Sequence, residues 1–374
     1  MENSGKKTTE TSESKYFGKA EVHFSALILR DDLDQEISSC RSLTREFEQA
    51  LDYALQSAFV GGQAPGDVHL FLHRILYRIN RLKFFWYDDL NNYKNERSDY
   101  LRQVRHRIES VWEPWELSHI NSELNIGDGD IAEQLRRRAA EDVAPAPSGE
   151  GIHFRDQMGI AGYRRLLEIA SLDGLVEASQ LSRTLAGVSN EVHAMMTRLL
   201  VEEYGGGRLS RKHSSFFNQM LEELNISAVP EAHFEAVPWE VLATINHSFL
   251  LSERKRFYLR YVGGLLYTEI SVPAAFNNYR VAAERLGMSE RARGYWDLHI
   301  KEDERHGRWM LHDVALPLAR MYPVNARELV IGYDQQKFLS DRAGKATARA
   351  VKQADDASRH VSTVNFEKSF EAAA

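Results

Sequence analysis

The apolar residues of this chain recur at intervals of three and four, which is the spacing of one face of an α-helix. The segment Val68–Asn91 shows the pattern most densely, with apolar positions Leu72, Ile75, Leu76, Ile79, Leu82, Phe85 and Trp86. Strict alternation of apolar and polar residues, the pattern of a half-buried strand, is scarce. The sequence therefore predicts an all-α fold.

The same periodicity predicts the extent of each helix. In the first half the helices cover Leu33–Leu55, Val68–Asn91, Ser98–Glu116 and Asp128–Asp142. In the second half they cover Tyr163–Leu185, Asn190–Glu203, Ser214–Leu224, Glu240–Leu250, Ser252–Glu269, Ala274–Leu286 and Arg291–Met321. Glycine and proline mark several ends, such as the three glycines after Tyr204 and the proline at 273.

The stretch VAPAPSGEG, residues 143–151, is the best candidate for a linker between two helical regions. We expect a disordered lead at 1–16, a helical N-terminal region at 17–142 and a second helical domain at 150–339. The N-terminal region is expected to mediate self-association into a homodimer, because the segment 68–91 has more apolar surface than one helix can bury alone. The polar, alanine-rich end, residues 340–374, is expected to be loosely ordered.

Composition narrows the kind of site that the chain can hold. A formal net charge of −7 without a basic block argues against nucleic acid as a partner. No apolar run reaches the length of a membrane span or forms a signal peptide, so we expect a cytoplasmic protein with no membrane partner. Cys40 is the single cysteine, which excludes an internal disulfide and a cysteine-based metal site. The ligands of any metal must therefore be His, Asp and Glu.

One stretch, LHIKEDERHGRWML at residues 298–311, places polar side chains in an apolar setting. His299, Asp303 and His306 are spaced i, i+4 and i+7, so on a helix they form one stripe. A solvated polar face would explain any one of them. Three together beside a tryptophan and a methionine fit a metal site better, and imidazole combined with carboxylate suits iron.

Three ligands from one helix leave a divalent ion short of donors, so others must come from neighbouring helices. Four candidates stand in the same half of the chain: Glu177, Glu203, His213 and Glu269. Glu177 and Glu269 lie in largely apolar runs, where an unpaired charge is costly. A buried ion pair would also explain these two, a frayed helix end would explain Glu203, and a surface position would explain His213.

The order and spacing of these seven residues resemble the haem-oxygenase-like di-iron oxidases over roughly residues 155–335. Glu177 is followed by an acidic helix end with a Gly-rich turn and a histidine, Glu203-Tyr-Gly-Gly-Gly and then His213. Glu269 precedes the His-Asp-His helix by about thirty residues. The resemblance is closest to the N-oxygenating branch, the nitrosourea-forming enzymes and the azomycin-pathway N-oxygenase. No chain remains here for the cupin domain of the nitrosourea enzymes, so we do not expect the nitrosourea-forming step itself.

The resemblance implies a haem-oxygenase-like helical bundle that holds two non-haem ferrous ions instead of haem. The implied iron ligands are Glu177, Glu203, His213, Glu269, His299, Asp303 and His306. O2 would be the co-substrate, and an external source, such as a reductase partner, would supply electrons. The implied reaction is N-oxygenation of an amine or guanidine-like nitrogen of a small molecule. Oxidative C–C cleavage of an amino or fatty acid is the alternative within the family.

Other assignments use other residues. Glu240 and His247 are seven residues apart on one helical face, and they are candidates for ligands or for residues that support the ligands from the pocket wall. Two Glu-x2-His motifs, at 116–119 and 150–153, have the spacing of ferritin-like di-iron proteins, but the second lies beside the linker. Seven donors are too many for one catalytic zinc. A non-enzymatic helical binding or scaffold protein, with these polar residues in buried networks, is the alternative of another class.

Overall fold

The structure of this chain, a computed structural model, describes residues 12–59, 66–121 and 130–371. Helices dominate these residues and none of them lies in a β-strand, which confirms the predicted all-α fold. None of the helices within the described ranges has the length and apolar character of a membrane span. The chain forms two compact units, Met1–His119 and Ile120–Ala374.

The helices of the first unit are α1 (Ser12–Ile28), α2 (Leu33–Glu36), α3 (Arg41–Ala58), α4 (Gly66–Arg81) and α5 (Asp99–Asn121). Helix α1 packs on α3 and α4. The buried rings of Phe24, Phe47 and Phe71 form a row between them, with neighbouring centroids 4.8 and 6.3 Å apart. Each ring contributes about 1.5–3 kcal/mol by leaving water. Most of the predicted disordered lead lies outside the described residues, but residues 12–16 belong to α1.

Two helix predictions in the first unit are wrong. The predicted helix 33–55 is split into α2 and α3, and the predicted helix 68–91 ends at Arg81. Beyond it, Tyr87 has a φ of +56°, and Asp88 accepts a hydrogen bond of 2.7 Å from the hydroxyl of Tyr93. Such local side-chain bonds compete with helix formation. The residues of α4 that motivated the homodimer prediction, Leu72, Ile75 and Leu76 among them, are buried by the chain itself, so the homodimer stays a prediction without this support.

The second unit contains the metal-ligand candidates. Its helices are α6 (Ile131–Asp142), α7 (Gly149–Ile152), α8 (Ile160–Gly174), α9 (Ser179–Ser182), α10 (Glu191–Glu203), α11 (His213–Glu223), α12 (Trp239–Glu253), α13 (Tyr258–Arg285), α14 (Glu290–Trp309), α15 (Leu316–Met321) and α16 (Arg327–Glu371). Helix α13 packs against both α14 and α16, and α16 also contacts α8 and α12. Glycines permit the closest of these contacts: a Cβ on Gly263 would lie 2.0 Å from the carbonyl oxygen of Leu329. A Cβ on Gly332 would lie 1.9 Å from the carbonyl oxygen of Arg260.

Several helix boundaries of the second unit also differ from the prediction. The helix predicted to reach Leu185 ends at Gly174, because the chain turns through Ala178 with a φ of +62°. The predicted helices 252–269 and 274–286 are one helix, α13, which continues through Pro273. Pro273 has no N–H for the carbonyl of Glu269, and Gly307 packs closely against that carbonyl. The predicted helix 291–321 consists of α14, a π-helical stretch at Met310–Ala315 and α15.

The prediction of a loosely ordered tail at 340–374 is wrong where the structure describes it, since α16 continues to Glu371. Ala346, Ala348 and Val351 are buried, so the alanines of this stretch form a packing face. Asp355 accepts hydrogen bonds of 2.8 and 2.6 Å from the backbone N–H groups of residues 159 and 162, which caps the first turn of α8. Residues 372–374 lie outside the described part of the chain.

The two compact units divide at His119, upstream of the predicted linker at 143–151. Helix α6 belongs with the second unit, because it is tied to α16. Arg138 donates to both carboxylate oxygens of Asp334, at 2.7 and 2.8 Å. Asp142 accepts from Lys337 at 2.6 Å and from the hydroxyl of Tyr333 at 3.0 Å.

Candidate metal centre

The stripe predicted on one helix face exists in α14. His299, Asp303 and His306 are buried, with exposures of 4%, 3% and 0%. The exposed side of the same helix carries Asp297, which accepts a 2.8 Å hydrogen bond from Arg280. The helix thus separates a solvated face from a buried polar face that meets other polar side chains.

The first group of potential ligands surrounds His299. Its Nε2 lies 2.8 Å from Oε1 of Glu177 and 3.2 Å from Nδ1 of His213. The same Nδ1 of His213 lies 2.8 Å from Oε2 of Glu203. One ligand atom from each of these four residues lies within 4.8 Å of the others. Side chains from three helices and the turn after α8 therefore converge on one point.

The second group surrounds His306. Its Nδ1 lies 3.3 Å from Oε1 of Glu203, 3.4 Å from Oε2 of Glu269 and 3.5 Å from Oδ1 of Asp303. Glu203 belongs to both groups, with one carboxylate oxygen turned to each. A carboxylate can bridge two cations, so the arrangement suits two adjacent ions that share Glu203. The structure thus brings all seven predicted residues together, while their role as ligands stays a prediction.

The turn after α10 positions two of these residues. Glu203 is the last residue of α10, and glycines 205–207 follow with φ values of +61°, +62° and +78°. A Cβ on Gly205 would lie 2.4 Å from the backbone carbon of Arg211, so the turn can close only with glycine there. The chain re-enters a helix at His213, the first residue of α11. The Gly-rich turn therefore brings Glu203 and His213 together.

Hydrogen bonds outside the two groups fix the histidine rings. Nδ1 of His299 donates to the backbone carbonyl of Tyr295 at 2.8 Å, which turns Nε2 toward the first group. The hydroxyl of Tyr295 donates to Glu177 at 3.0 Å. Nε2 of His306 lies 3.0 Å from Glu202, which turns Nδ1 toward the second group. Metal-ligating histidines are commonly oriented in this way. Sequence reasoning missed Tyr295 and Glu202, and the adjacent pair of glutamates at the end of α10 was the signal for the latter.

The pKa values of the two α14 histidines reflect the surrounding negative charge. Burial would lower the pKa of His299, but Glu177 beside it raises this pKa to about 10. Burial would likewise lower the pKa of His306, but the three carboxylates around Nδ1 raise it well above its ordinary value. Both rings therefore lie where a positive charge is stabilised.

The pKa values of the clustered carboxylates depend on the same burial and the same neighbouring charges. Burial raises the pKa of Glu269 to about 7, opposed by His306 and assisted by the negative charges of Asp303 and Glu203. Burial also raises the pKa of Asp303. Burial would raise the pKa of Glu203 too, but its contacts with the two histidines hold that pKa well below the usual range. Four carboxylates share this small volume, and a divalent cation would relieve their repulsion.

Three buried atoms of the cluster show, independently of the family resemblance, that its residues fit a metal. Oδ1 of Asp303, Nδ1 of His306 and Oε2 of Glu177 are buried and lack hydrogen-bond partners among the described residues. Buried polar atoms without partners are rare and costly. No Lys or Arg forms an ion pair with the four carboxylates of the cluster in the described part of the chain. Mixed oxygen and imidazole donors suit iron.

A third set of potential ligands, Glu202, Glu302 and His306, needs no metal. The guanidinium of Arg305 lies between the two glutamates and makes close hydrogen bonds with both. This cation already compensates the charge of the two glutamates on the outer side of His306. The two inner groups are therefore the candidate metal centre.

A cavity of about 470 Å³ opens beside the centre. Five of the seven clustered residues line it: Glu177, Glu203, Glu269, His299 and Asp303. Its other walls are largely apolar and aromatic, with Phe217, Phe276, Tyr279, Tyr295 and Trp296 near the centre. The cavity can therefore hold a small organic molecule against the centre, in largely apolar surroundings.

The alternative candidates lie elsewhere. His247 lines the cavity, but Glu240 does not and accepts a 2.8 Å hydrogen bond from Arg349 instead. Glu240 and His247 therefore do not face the centre together, and a supporting role for His247 stays a prediction. In the motif at 116–119 the glutamate accepts from Trp112, and in the motif at 150–153 the histidine contacts Gln157. These contacts give no support to the ferritin-like assignment, which the position of the second motif already disfavours.

The comparisons with known proteins agree with this geometry. Residues 164–335 match the model of a family described as iron-containing redox enzymes, and all seven clustered residues fall within this stretch. A nitrosourea synthase from Streptomyces achromogenes subsp. streptozoticus is 25% identical over 168 residues, which are 45% of this chain and 36% of that enzyme. The chain thus spans about a third of the length of this relative. The predicted resemblance to the haem-oxygenase-like oxidases and their N-oxygenating branch is confirmed as a similarity, and the matched stretch resembles the domain of an iron-containing oxidoreductase.

Proposed function

We propose that this chain is a non-haem di-iron oxygenase that uses O2 to oxidise a nitrogen of a small amine or guanidine-like metabolite. The observation that carries the proposal is the buried cluster of four carboxylates and three imidazoles. Its inward atoms on Asp303, His306 and Glu177 have no hydrogen-bond partners within the described residues. Burial of such a cluster is costly, and bound cations would lower that cost. The sequence similarity to a nitrosourea synthase supports the choice of nitrogen as the oxidised atom.

Seven side chains would hold two ferrous ions. Glu177, His213 and His299 would bind one ion, and Glu269 and His306 would bind the other, together with Asp303, whose Oδ1 lies 3.5 Å from Nδ1 of His306. Glu203 lies in both groups and would bind both ions. Iron bound in such a set of ligands supplies the redox chemistry that activates O2. The protein's own contribution is the fixed geometry of the ligands and the removal of water from the site.

The chain's other residues bind and shield the substrate. The aromatic side chains that line the cavity exclude water from the metal face, and the volume of about 470 Å³ suits a small metabolite. Insertion of one oxygen atom into an N–H bond consumes one O2, two electrons and two protons, and it releases one water. We assign the two electrons to an external reductant, such as a reductase partner.

Iron content distinguishes this proposal from a helical scaffold protein with a buried polar network. Anaerobic reconstitution with ferrous iron should give about two ions per chain by elemental analysis, and exposure to O2 should consume oxygen. The Asp303→Ala variant should bind one ion or none while its helicity stays unchanged by circular dichroism. Asp297→Ala, on the exposed face of the same helix, is the matched control and should bind two. Iron-free wild-type protein, or full iron retention in Asp303→Ala, contradicts the proposal.

A mass-spectrometric screen then separates nitrogen oxidation from C–C cleavage. The ferrous protein is incubated with O2, a chemical reductant and a panel of amines, guanidines, amino acids and fatty acids. N-oxygenation gives products that have gained oxygen atoms with the carbon skeleton intact. Products that have lost carbon would favour the C–C cleavage alternative.

A further inference from the structure

The cavity contains a carboxylate that the proposed ligand set does not use. Asp173 lies in the last turn of α8, on the same cavity-lining face as Ile169, Ala170 and Glu177. Its side chain is exposed and contributes to the cavity wall. Part of the surface that Asp173 exposes therefore faces the cavity.

No side-chain cation compensates the charge of Asp173. Neither Lys nor Arg lines the cavity, and within the described ranges no basic side chain forms an ion pair with this residue. Burial, together with the negative charge of Glu177, raises the pKa of Asp173 to about 6, against the opposing contact of the Gln180 amide. Carboxylates with a raised pKa in a cavity cluster at functional sites.

Asp173 precedes the candidate ligand Glu177 by four residues, and both side chains line the same cavity. Burial raises the pKa of Tyr261, and the negative charges of Glu269 and Asp173 add to the rise. Burial also raises the pKa of Tyr295, to which Glu177 and Asp173 contribute. The charge of Asp173 therefore contributes to the pKa values of two tyrosines that are also affected by candidate metal ligands. A molecule in contact with Asp173 would lie beside the centre.

We infer that Asp173 binds a positively charged nitrogen group of the substrate, an ammonium or a guanidinium, and so selects cationic molecules. The inference rests on the proposed function, because two divalent ions would compensate the charge of the four ligand carboxylates. Asp173 then remains as the anion of the cavity. A guanidinium forms charge-assisted hydrogen bonds with a carboxylate, and an uncharged molecule of the same shape cannot match their strength. Asp173 would thus select cationic substrates and hold them beside the centre.

Two small probes that differ in charge test the inference. n-Butylguanidinium and N-butylurea have the same shape, and only the first is a cation. Their binding to the anaerobic, iron-loaded full chain is measured by calorimetry. Wild-type protein should bind the cation at least about tenfold more tightly than the urea, the ratio expected for one charge-assisted hydrogen bond. Asp173→Asn should reduce the ratio to about twofold or less, with unchanged iron content and helicity.

Controls separate this inference from the proposed function. Asp156→Asn removes an exposed carboxylate outside the cavity and should leave the ratio at its wild-type value. If Asp173→Asn does not fold, Asp173→Ser provides the same comparison. Equal binding of the two probes to wild-type protein, or a preference that survives in the Asp173 variant, overturns the inference. Iron content and O2 consumption are measured on the same samples, so a protein that binds no iron contradicts the proposed function instead.

Discussion

His306 is oriented by Glu202, whose carboxylate lies 3.0 Å from Nε2 of the imidazole ring. With this nitrogen bonded, Nδ1 is turned toward Glu203, Glu269 and Asp303 at 3.3 to 3.5 Å. Two consecutive glutamates at the end of α10 therefore have different functions. Glu203 faces the candidate metal centre, and Glu202 supports one of its histidines from outside.

The first prediction concerns this support. Replacing Glu202 by alanine should weaken iron binding at the His306 position about 10- to 100-fold, because the ring loses the bond that fixes its orientation. Iron at the His299 position should bind as in the wild type. Glu302→Ala is the control, since Glu302 also binds Arg305 but makes no hydrogen bond with His306 among the contacts described. An iron titration that gives both variants the same affinities would show that Glu202 does not orient the ligand.

The second prediction concerns the shared carboxylate. Glu177→Gln should remove one ion and Glu269→Gln the other, because each residue belongs to a single group. Glu203→Gln should remove both, since Glu203 contributes one oxygen to each group. Elemental analysis gives the number of ions, and Mössbauer spectroscopy distinguishes which position is filled. Loss of both ions in all three variants would instead indicate that the ions bind only together.

Much of the candidate site was predictable because its spacing is local. The helical period alone places His299, Asp303 and His306 on one face, whereas the family resemblance implied Glu203 and His213 as their partners. Tyr295 and Asp173 were not predicted, because their relation to the centre depends on how α8 packs near α14. That packing is set by contacts between residues more than one hundred positions apart, such as the bond from Tyr295 to Glu177.

The errors in the fold have the same origin. Pro273 predicts a helix end, but α13 continues because neighbouring helices hold it on both sides. The alanine-rich end of the chain was expected to be loosely ordered, although alanine favours helices. Contacts with α8, including those of Asp355, determine that this stretch packs on the bundle. The local sequence pattern predicts neither the continuation of α13 through Pro273 nor the packing of the C-terminal stretch on α8.

The third prediction concerns the close crossing of α13 and α16. Gly263→Ala should destabilise the protein by about 3 kcal/mol or more, because the new methyl group meets the backbone of α16 and neither helix can shift without the other. Gly344→Ala is a matched control on α16, where a Cβ meets nothing within 4 Å. This control should stabilise the protein by about 0.5–1 kcal/mol, since alanine favours the helix. Urea unfolding measures both changes, and equal effects would contradict the packing argument.

The last prediction concerns acid stability and His247. Burial lowers the pKa of this cavity-lining histidine to about 3, and the positive charges of Arg260 and Arg342 add to the effect. The unfolded chain takes up the proton near pH 6.5, whereas the folded chain does so only near pH 3. Between these values the unfolded state binds more protons, so His247 makes the protein less stable as the pH falls from 6.5 toward 3.

From pH 7 to pH 5 this histidine should account for about 2 kcal/mol of lost stability. The variant His247→Gln has no titrating group at this position, so its free energy of unfolding should fall by about 2 kcal/mol less than that of the wild type over the same interval. Urea unfolding at the two pH values measures the difference. His360→Gln removes an exposed histidine of α16 and should leave the wild-type pH dependence in place. The same pH dependence in the wild type and His247→Gln would mean that the pKa of His247 does not differ between the folded and unfolded states, which contradicts the prediction.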